Sequence, residues 1–359
     1  MFLKQCRGLA ARGYDVTLVV ADGRGDAREH GVSIVDVGRA SGRVSRMVRA
    51  ARNVYRAGLD LNADIYHLHD PELLPYGLLL RRKGKTVVYD AHEDVPKQLL
   101  AKPYLGPRRL KMLAGAYAVF ERFAVRRLDG IVAATPSIQE RFRAMNPRTA
   151  VVNNYPLVDE LYLQDSWGQK TETVCYIGGI SAARGIREII DAMGRVSSPA
   201  RLALAGNFPD AKLRAEVRSM TGWSRTEFLG FLDRGGVRDL LGKSVVGLVT
   251  LHPTPNHLES HPIKLFEYMA AGIPVIASDF PLWRQIIEDA DCGYCVDPHD
   301  PAAIAERIDR LVTDLQEAQR LGENGRKAIL AKYNWAHEEQ ALQDFYESLG
   351  PATPASEFV

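Results

Sequence analysis

The sequence of 359 residues contains little cysteine and no long apolar run. Its four cysteines, Cys6, Cys175, Cys292 and Cys295, are too few for a disulfide framework in a chain of this size. No stretch of about 18 uninterrupted apolar residues occurs, which excludes an ordinary membrane-spanning helix. Residues 1–11 also lack the basic, apolar and small-residue order of a signal peptide. We therefore expect a cytosolic protein.

A strong overall charge is also missing, because the formal net charge is only +2. Hydrophobic residues make up 46% and charged residues 25%, which argues against a disordered, collagen-like or coiled-coil chain. The length predicts two domains. Residues 1–150 contain 26 Lys and Arg against 15 Asp and Glu, whereas the remainder contains 20 against 29. This asymmetry favours two domains with different partners, the basic one suited to an anionic surface or substrate.

Short β-rich runs alternate with helical stretches along the chain. The predicted strands are Val16–Val20, Asp64–His67, Thr86–Tyr89, Gly130–Ala134, Val174–Ile177, Arg201–Leu204, Val245–Val249 and Pro274–Ala277. Such alternation predicts an α/β protein with parallel sheets covered by helices. The polar stretches 153–156 and 165–173 predict a linker, so we expect domains at 1–160 and 161–335, and a disordered tail at 351–359.

The chain opens with an apolar pattern at helical spacing in residues 2–10, and Gly13 follows as a C-terminal cap. In doubly wound sheets the first strand usually lies in the middle and precedes the first helix. We therefore expect that the first strand is missing at the N-terminus and that the true start lies upstream of Met1.

Residues 259–278 form the most informative segment for chemistry. Glu259 and Glu267 lie eight positions apart, and the apolar pattern predicts a helix from about residue 263 to 271. The first carboxylate then lies on a loop and the second in the first turns of the helix. Helix-start N–H groups, together with Lys264, favour an anion such as a diphosphate. Glu267 is placed to accept hydrogen bonds from vicinal hydroxyls, as an acidic residue does for a ribose.

This segment resembles the retaining family-4 glycosyltransferases of the GT-B fold, which have two glutamates separated by seven residues and then an alanine-glycine-x-proline turn. Ala271-Gly272-Ile273-Pro274 matches that turn. The resemblance implies two Rossmann-like doubly wound domains facing each other across a cleft, with donor in the second and acceptor on the first. It also implies that Glu259 touches hydroxyls of the donor sugar, that Glu267 touches the ribose, and that His261, Pro262 and Ile263 line the donor.

A second match is the predicted strand, glycine turn and helix that begin at Tyr176. Glycine lets backbone approach a phosphate, and the following helix directs its positive end there. The family usually has an arginine directly after the first glycine of this turn and a lysine six positions after that glycine. Here Gly178 is the first glycine, Gly179 stands in place of the arginine, and Arg184 stands in place of the lysine. Diphosphate stabilisation is then expected from Arg184 and Lys264.

Two further matches extend the resemblance across most of the chain. The run Phe228-Leu-Gly230-Phe231-Leu232 resembles the strand and turn beside the nucleotide base, which places Leu232 in the donor site. Tyr333-Asn334-Trp335 and the following residues resemble the closing helix, so the resemblance implies a helix over 336–350 that crosses back to the first domain. Both runs are also apolar enough to be ordinary core.

Three residues of the first domain are candidates for the acceptor side and for the transition state. His92 follows a predicted strand and resembles the family's histidine beside the donor sugar, where it supports the transition state. His69 and Asp70 end the preceding strand and are expected on the acceptor side.

Histidines and cysteines also raise the question of a metal. His67 with His69, and His252 with His257 and His261, each lack a third ligand at convincing spacing, and the resembling family works without a bound ion. Cys292-Gly-Tyr-Cys295 has metal or redox spacing but no second pair nearby, so we expect two packed cysteines. The sequence predicts no metal and no cofactor, with a nucleotide-diphosphate sugar as co-substrate.

A basic helical face accounts for part of the positive charge of the first domain. Its members are Arg43, Arg46, Arg49, Arg52 and Arg56. With Val44, Met47, Val48, Ala51 and Tyr55 between them, this face could rest on anionic lipid, with the protein peripheral on the inner face of the plasma membrane. A surface helix with solvated arginines and a core-facing apolar side remains an equal alternative.

Taken with the resemblance, the motifs indicate a metal-independent retaining hexosyltransferase. The expected acceptor is a saccharide or lipid-linked saccharide of cell-surface polysaccharide synthesis. Two alternatives stay open: a sugar-nucleotide epimerase or phosphorylase on the same fold, and a non-catalytic partner that binds nucleotide sugars. Nucleic-acid binding has little support because no recognition motif is present.

Overall fold

The computed structural model describes residues 1–39, 42, 45–100, 106–161 and 166–350, without the side chains of residues 46, 107 and 166. Backbone contacts divide the chain into two compact units. Unit 1 contains Met1–Asn154 and the segment from Ala336, and unit 2 contains Tyr155–Trp335. The division after Asn154 falls six residues before the boundary expected from the sequence. The predicted tail at 351–359 lies outside the described residues.

The described residues of unit 1 form seven strands in two sheets. They are β1 (Val16–Val20), β2 (Ala27–Glu29), β3 (Val32–Asp36), β4 (Ile65–Leu68), β5 (Thr86–Ala91), β6 (Gly130–Ala133) and β7 (Thr149–Val151). One sheet has the order β1-β3-β2, in which β1 and β3 are parallel and β2 is antiparallel. The other is parallel with the order β4-β5-β6-β7. The expectation of a strand before Met1 stays a prediction.

The helices of unit 1 lie between these strands and at the end of the chain. They are α1 (Arg7–Ala11), α2 (Ala51–Leu61), α3 (Leu74–Arg82), α4 (Val95–Leu100), α5 (Pro107–Val125), α6 (Pro136–Arg143) and, after unit 2, α16 (Trp335–Ser348). The π-helical turns Phe2–Cys6 and Arg46–Ala50 lead into α1 and α2. Helix α16 packs on β6, since a Cβ added to Gly130 would lie 2.4 Å from the Phe345 ring.

Unit 2 contains one parallel sheet of six strands. They are β8 (Thr173–Ile177), β9 (Arg201–Ala205), β10 (Thr226–Gly230), β11 (Ser244–Val249), β12 (Val275–Ser278) and β13 (Gly293–Val296). The helices are α7 (Val158–Leu161), α8 (Ile186–Arg195), α9 (Ala211–Arg218), α10 (Arg234–Lys243), α11 (Pro255–Leu258), α12 (Ile263–Ala270), α13 (Pro281–Ala290), α14 (Pro301–Thr313) and α15 (Leu315–Ala331).

Strand order fixes where unit 2 can bind a ligand. The order β10-β9-β8-β11-β12-β13 corresponds to 3-2-1-4-5-6 within this unit, the arrangement of dinucleotide-binding folds. The direction of winding reverses between β8 and β11, and ligands of such sheets bind beyond the carboxyl ends of the strands at that point. The loops after Ile177 and Val249 therefore define the candidate pocket.

Local signals explain several helix starts in unit 2. Asp210, Asp233 and Asp300 each occupy the N-cap position, and their carboxylates accept hydrogen bonds from backbone N–H groups of the first turn. Core helices present apolar faces: Trp283 and Tyr268 are completely buried in a cluster beneath the sheet. These contacts hold the strands whose ends form the pocket.

The predicted α/β class with parallel sheets is confirmed, and all eight predicted strands are present with ends displaced by two residues or fewer. The opening helix is also present, and its first part is the π-helical turn. Alternation did not predict β2, β3, β7 and β13; β10 was seen only through the resemblance. No helix in the described part of the chain is long and apolar enough to cross a bilayer.

Candidate functional site

A glycine turn follows β8 at the carboxyl end of the sheet in unit 2. Gly178 has φ +133°, and Gly206 at the end of β9 has φ +144°. A Cβ on Gly206 would lie 1.8 Å from the Gly178 carbonyl oxygen, so these two segments meet backbone to backbone. Gly185 begins α8 with φ +74°, and a Cβ there would lie 2.0 Å from the Thr250 carbonyl oxygen. Glycine at these positions lets the turn stay narrow and bare of side chains.

A hydrogen bond of Tyr268 connects helix α12 to the segment that leads into the same turn. The Tyr268 hydroxyl accepts a hydrogen bond from the Ile177 backbone N–H at 3.0 Å. Its ring fills the space beside Gly247 on β11, where a Cβ would lie 2.2 Å from the ring. The start of α12, with Pro262 at its N-cap, is thereby held against the end of β8.

Lys264 lies in the first turn of α12 and is buried. Its ammonium stands 3.8 Å from the centre of the Tyr176 ring. Within the described residues Nζ has no hydrogen-bond partner. Burial lowers the pKa of Lys264 well below its usual range, and the nearby Arg184 guanidinium lowers it further. A buried cation that lacks an acceptor marks the place where an anion would be stabilised.

Arg184 contacts the glycine turn directly. Its Nη1 donates to the Gly179 carbonyl oxygen at 3.3 Å, and the Tyr176 hydroxyl donates to the same oxygen at 2.8 Å. Burial first, and then the positive charges of Arg184 and Lys264, lower the pKa of His257. The structure thus brings together Arg184, Lys264 and the turn at Gly178 and Gly179, four of the residues predicted to bind the donor.

Glu267 lies one turn further along α12 and is paired with a cation that the sequence did not indicate. Its Oε1 accepts a hydrogen bond from Arg234 Nη1 at 2.7 Å. The Arg234 Nε atom donates to Glu160 at 2.5 Å. These two carboxylates raise the pKa of Arg234, so the guanidinium is permanently charged and orients Glu267.

The remaining predicted donor residues surround α12 and the turn after β10. Glu259 is exposed directly after α11, and Ile263 is 42% exposed at the start of α12. His261 stacks on Tyr155, and burial lowers its pKa to about 4, which leaves the imidazole neutral. Leu232 packs against the core of unit 2. Its contact with a base, like the other predicted contacts with the donor, stays a prediction.

Three histidines of unit 1 lie close together at the carboxyl ends of β4 and β5. His67, His69 and His92 each face the buried carboxylate of Asp90, at 3.4, 3.3 and 3.6 Å between the nearest nitrogen and oxygen atoms. Burial raises the pKa of Asp90, but the facing imidazoles outweigh it and hold that pKa well below its usual range. Burial lowers the pKa of His69. Asp70, predicted beside His69, is exposed.

The structure adds neighbours to two histidine clusters that showed no third ligand at convincing spacing in the sequence. Asp90 completes a group with His67 and His69, and in unit 2 Glu188 and His299 join His252. Both sets form across neighbouring segments that are far apart in sequence, so spacing along the chain could not reveal them. Only the register of β4 against β5 places residue 90 beside residue 69.

The two cysteines of the Cys292-Gly-Tyr-Cys295 run behave as packed side chains. Cys292 is fully buried, and burial raises the pKa of both thiols to about 12. Neither thiol joins a three-ligand group in the portion of the chain that the structure covers. These findings agree with the expected packing role.

Both halves of the chain match known sequence families. Residues 1–154 match the glycosyl transferase 4-like domain, and residues 163–328 match the glycosyl transferases group 1. The alpha-maltose-1-phosphate synthase of Mycolicibacterium smegmatis is 26% identical over 276 residues, which cover 68% of this chain and 70% of the relative. The phosphatidyl-myo-inositol mannosyltransferase of Mycobacterium leprae is 25% identical over 332 residues, which cover 88% and 84%.

Solved structures show the same fold. Sucrose-phosphate synthase from Thermosynechococcus elongatus superposes with a TM-score of 0.77 at 19% identity, covering 96% of this chain and 91% of that one. Anabaena HepE in complex with UDP and glucose superposes with a TM-score of 0.70 at 15% identity, covering 93% and 100%. The chain therefore belongs to the group 1 (GT4) family of retaining glycosyltransferases, has the GT-B fold, and transfers a sugar from a nucleotide donor.

Proposed function

We propose that this glycosyltransferase moves a hexosyl group from a nucleoside-diphosphate sugar to a saccharide or lipid-linked saccharide acceptor in cell-surface polysaccharide synthesis. Similar proteins support the donor and acceptor classes: one is a phosphatidyl-myo-inositol mannosyltransferase, and another protein of the same fold was solved with UDP and glucose. The donor binds unit 2, and the acceptor binds unit 1.

One observation carries the donor assignment: the buried ammonium of Lys264 has no acceptor in the described residues and stands beside Arg184 and a bare glycine turn. The turn and the start of α12 supply backbone N–H groups at the position where a dinucleotide-type fold binds phosphate. A diphosphate would satisfy both cations.

The reaction follows from this charge distribution. The bond between the sugar's anomeric carbon and the donor phosphate breaks, and negative charge grows on the leaving phosphate oxygen. Arg184, Lys264 and the helix-start amides stabilise that charge more strongly in the transition state than in the ground state. The acceptor hydroxyl attacks the anomeric carbon on the face that the phosphate leaves and gives its proton to the departing phosphate oxygen. The anomeric configuration is thereby retained, and no side chain need act as nucleophile. Glu259 binds hydroxyls of the transferred sugar.

Residues of unit 1 are assigned to the transferred sugar and to the acceptor. His92 has a half-exposed ring at the end of β5, where an open parallel sheet binds ligands, and we assign it to the sugar in the transition state. His69 and Asp70, at the end of β4, are assigned to the acceptor.

A donor screen tests the proposed function. UDP-, GDP- and ADP-sugars are compared by thermal unfolding, and the nucleotide that binds best is expected to stabilise by about 2.7 kcal/mol at a hundred times its Kd. Product analysis with saccharide acceptors should then show transfer with the anomeric configuration of the donor. Release of an epimerised free sugar, or nucleotide binding without turnover on any acceptor, would support one of the two alternatives instead.

Nucleotide binding should take up protons between the lowered pKa of Lys264 in the free enzyme and its higher pKa in the complex. Burial and Arg184 lower the pKa of Lys264 in the free enzyme, whereas a bound diphosphate would raise it. Binding is therefore favoured below the free-enzyme pKa and weakens as pH rises through it. Calorimetry in buffers of different ionisation enthalpy should reveal the uptake, and Lys264→Met should remove the Lys264 contribution to it. An uptake equal in wild type and variant would contradict the assignment.

We further propose that unit 1 rests on an anionic membrane surface. Arg49, Arg52 and Arg56 are exposed, and Met47 and Val48, directly before Arg49, are about half exposed rather than in the core. Arg43 lies outside the described residues, as does the side chain of Arg46. Helix α5 adds Met112 and Val119, each 72% exposed, on a helix that begins with exposed Arg108, Arg109 and Lys111. Apolar side chains flanked by arginine and lysine fit an anionic bilayer.

Vesicle sedimentation tests this surface. The protein is expected to bind vesicles that contain phosphatidylglycerol and to stay in solution with neutral phosphatidylcholine vesicles. Exchanging Arg49, Arg52 and Arg56 for glutamine should weaken binding by about 1 kcal/mol per residue, or roughly fivefold each. The matched control exchanges Arg214, Arg218 and Arg238 of unit 2. Equal effects of both triple variants would contradict the proposal.

A further inference from the structure

A buried ion pair of unit 1 lies close to the segment that carries His92. Glu121 on α5 is completely buried, and its Oε2 accepts a hydrogen bond from Arg141 Nη2 on α6. Burial raises the pKa of Glu121, and the Arg141 guanidinium opposes that shift. The carboxylate therefore needs this cation beside it in the core.

The same guanidinium extends toward the loop between β5 and α4. Arg141 Nε lies 3.6 Å from Asp94 Oδ2. Asp94 immediately precedes α4, where its Oδ1 accepts the Lys97 N–H at 3.1 Å and its backbone oxygen accepts the Gln98 N–H at 2.9 Å. Arg141 thus connects the buried Glu121 with the residue from which α4 begins.

This contact brings the ion pair to a residue only two positions after His92. The segment that carries His92 is held at one end by the pairing of Ala91 with β6, and at its other end Asp94 faces Arg141. The His92 side chain is 46% exposed, and its nearest charged neighbour is Asp90 at 3.6 Å. Packing alone does not fix this ring, so its direction depends on how the two ends of the short segment are held.

The ion pair is poorly arranged for stability alone. Arg141 Nη1 and Glu121 Oε1 are buried and have no hydrogen-bond partner within the described residues. Two buried charges repay the cost of leaving water only when their remaining polar atoms are also bonded. Apolar side chains of similar volume would stabilise the core equally well. The arrangement is better explained by the geometry that it imposes on Asp94.

We propose that Arg141, anchored by Glu121, is a positioning residue that fixes Asp94 and, through it, the direction of His92. This inference rests on the proposed role of His92 at the transferred sugar. Arginine suits the task because its planar guanidinium serves two carboxylates at once. Loss of the bridge should lower kcat, because His92 then adopts orientations that do not support the transition state. The KM for the donor should stay unchanged, because the donor binds unit 2.

The test combines exchange of the ion pair with removal of His92. Glu121→Gln together with Arg141→Gln removes both charges, so no unpaired charge stays in the core. In the otherwise wild-type chain this double exchange should lower kcat roughly tenfold, the effect of losing a hydrogen bond to a charged group. In the His92→Ala background it should lower kcat less than about twofold, since the residue through which it acts is gone. Steady-state kinetics with the preferred donor and acceptor measures these effects.

Asp94→Asn is a second variant, and it leaves the buried ion pair in place. Asparagine can still accept the Lys97 N–H but presents no charge to Arg141. This variant should keep the unfolding temperature of the wild type and lower kcat only while His92 is present. It decides the question if the double exchange does not fold.

The matched control is the ion pair of Arg81 with Asp129, which lies at the opposite end of β5. Arg81 Nε lies 3.0 Å from Asp129 Oδ2, and the same oxygen accepts the Val87 N–H at 2.7 Å. Arg81→Gln together with Asp129→Asn should lower the unfolding temperature and keep kcat within a factor of about two.

Three results would contradict these expectations. Equal losses of kcat from the Glu121 and Arg141 exchange with and without His92 would overturn the inference, as would an unchanged kcat in folded Asp94→Asn. A loss of kcat in the control as large as that of the double exchange would equally overturn it, because both pairs would then act through folding alone. Wild-type kcat in His92→Ala by itself would instead overturn the proposed role of His92, on which the inference rests.

Discussion

Lys264→Met is expected to lower kcat on the order of a hundredfold while leaving the fold intact. The wild-type ammonium is buried against the Tyr176 ring and has no acceptor in the described residues, so it contributes nothing to folding that methionine cannot replace. Its contribution is made when charge develops on the leaving phosphate. Arg184→Ala, on the other side of the glycine turn, is expected to cost a similar factor. Steady-state kinetics with the preferred donor measures both effects.

Lys170→Met is the matched control for Lys264→Met. Lys170 is another mostly buried lysine of unit 2, and burial lowers its pKa to about 8. Its ammonium donates to the carbonyl oxygens of Leu241 and Gly242, and Lys170 precedes β8 whereas the glycine turn follows that strand. This variant should lose stability and keep kcat within a factor of about two. Equal losses of kcat in the two lysine variants would show that Lys264 acts through folding alone.

Glu267→Ala is expected to weaken nucleotide-sugar binding by roughly ten- to a hundredfold, the range of a hydrogen bond to a charged group. The carboxylate is held by Arg234 and lies one turn after Lys264, a position suited to the ribose hydroxyls. Glu259→Ala should instead lower kcat, because this residue is assigned to hydroxyls of the transferred sugar. Calorimetry with the nucleotide and kinetics with the complete donor separate the two effects.

Glu160→Ala is the control for Glu267→Ala. It removes the other carboxylate of Arg234 and leaves α12 untouched. Nucleotide affinity should then change little. If Glu160→Ala weakened binding as much as Glu267→Ala, the role of Glu267 would be to hold Arg234 rather than to bind ribose. Wild-type transfer rates in both Glu259→Ala and Glu267→Ala would refute the assignment of these glutamates.

Short apolar runs were enough to predict the four central strands of the sheet in unit 2, β9, β8, β11 and β12. The runs at Val174–Ile177 and Val245–Val249 are buried on both faces, and their continuous apolar sequence shows it. Strand β2 could not be predicted, because Ala27–Glu29 is exposed and charged and exists only through pairing with β3. Short strands whose stability comes from a neighbour carry little signal of their own.

In the candidate site, the sequence predicted residues that lie close together along the chain. It did not predict residues that come together only in the folded structure. Lys264 and Glu267 share one helix, so the pattern of that segment predicted their chemistry, whereas Arg184 was predicted through the resemblance. Arg234 and Tyr268 act through contacts with distant segments, Glu160 and Ile177, and neither has a distinctive neighbourhood in the sequence. Asp90 and His92 are close in sequence, but the contacts of Asp90 with His67 and His69 required the register of β4 against β5.

The central claim is that four residues of unit 2 bind one activated sugar. Arg184 and Lys264 bind its diphosphate, Glu259 binds hydroxyls of the sugar, and Glu267 binds the ribose. A crystal structure of the full chain with the preferred nucleoside diphosphate tests it most directly. The account predicts phosphate oxygens within hydrogen-bonding distance of the Arg184 guanidinium, the Lys264 ammonium and the backbone of the glycine turn, with a ribose hydroxyl on Glu267. Density for the diphosphate elsewhere, with Lys264 still facing only Tyr176, would contradict it.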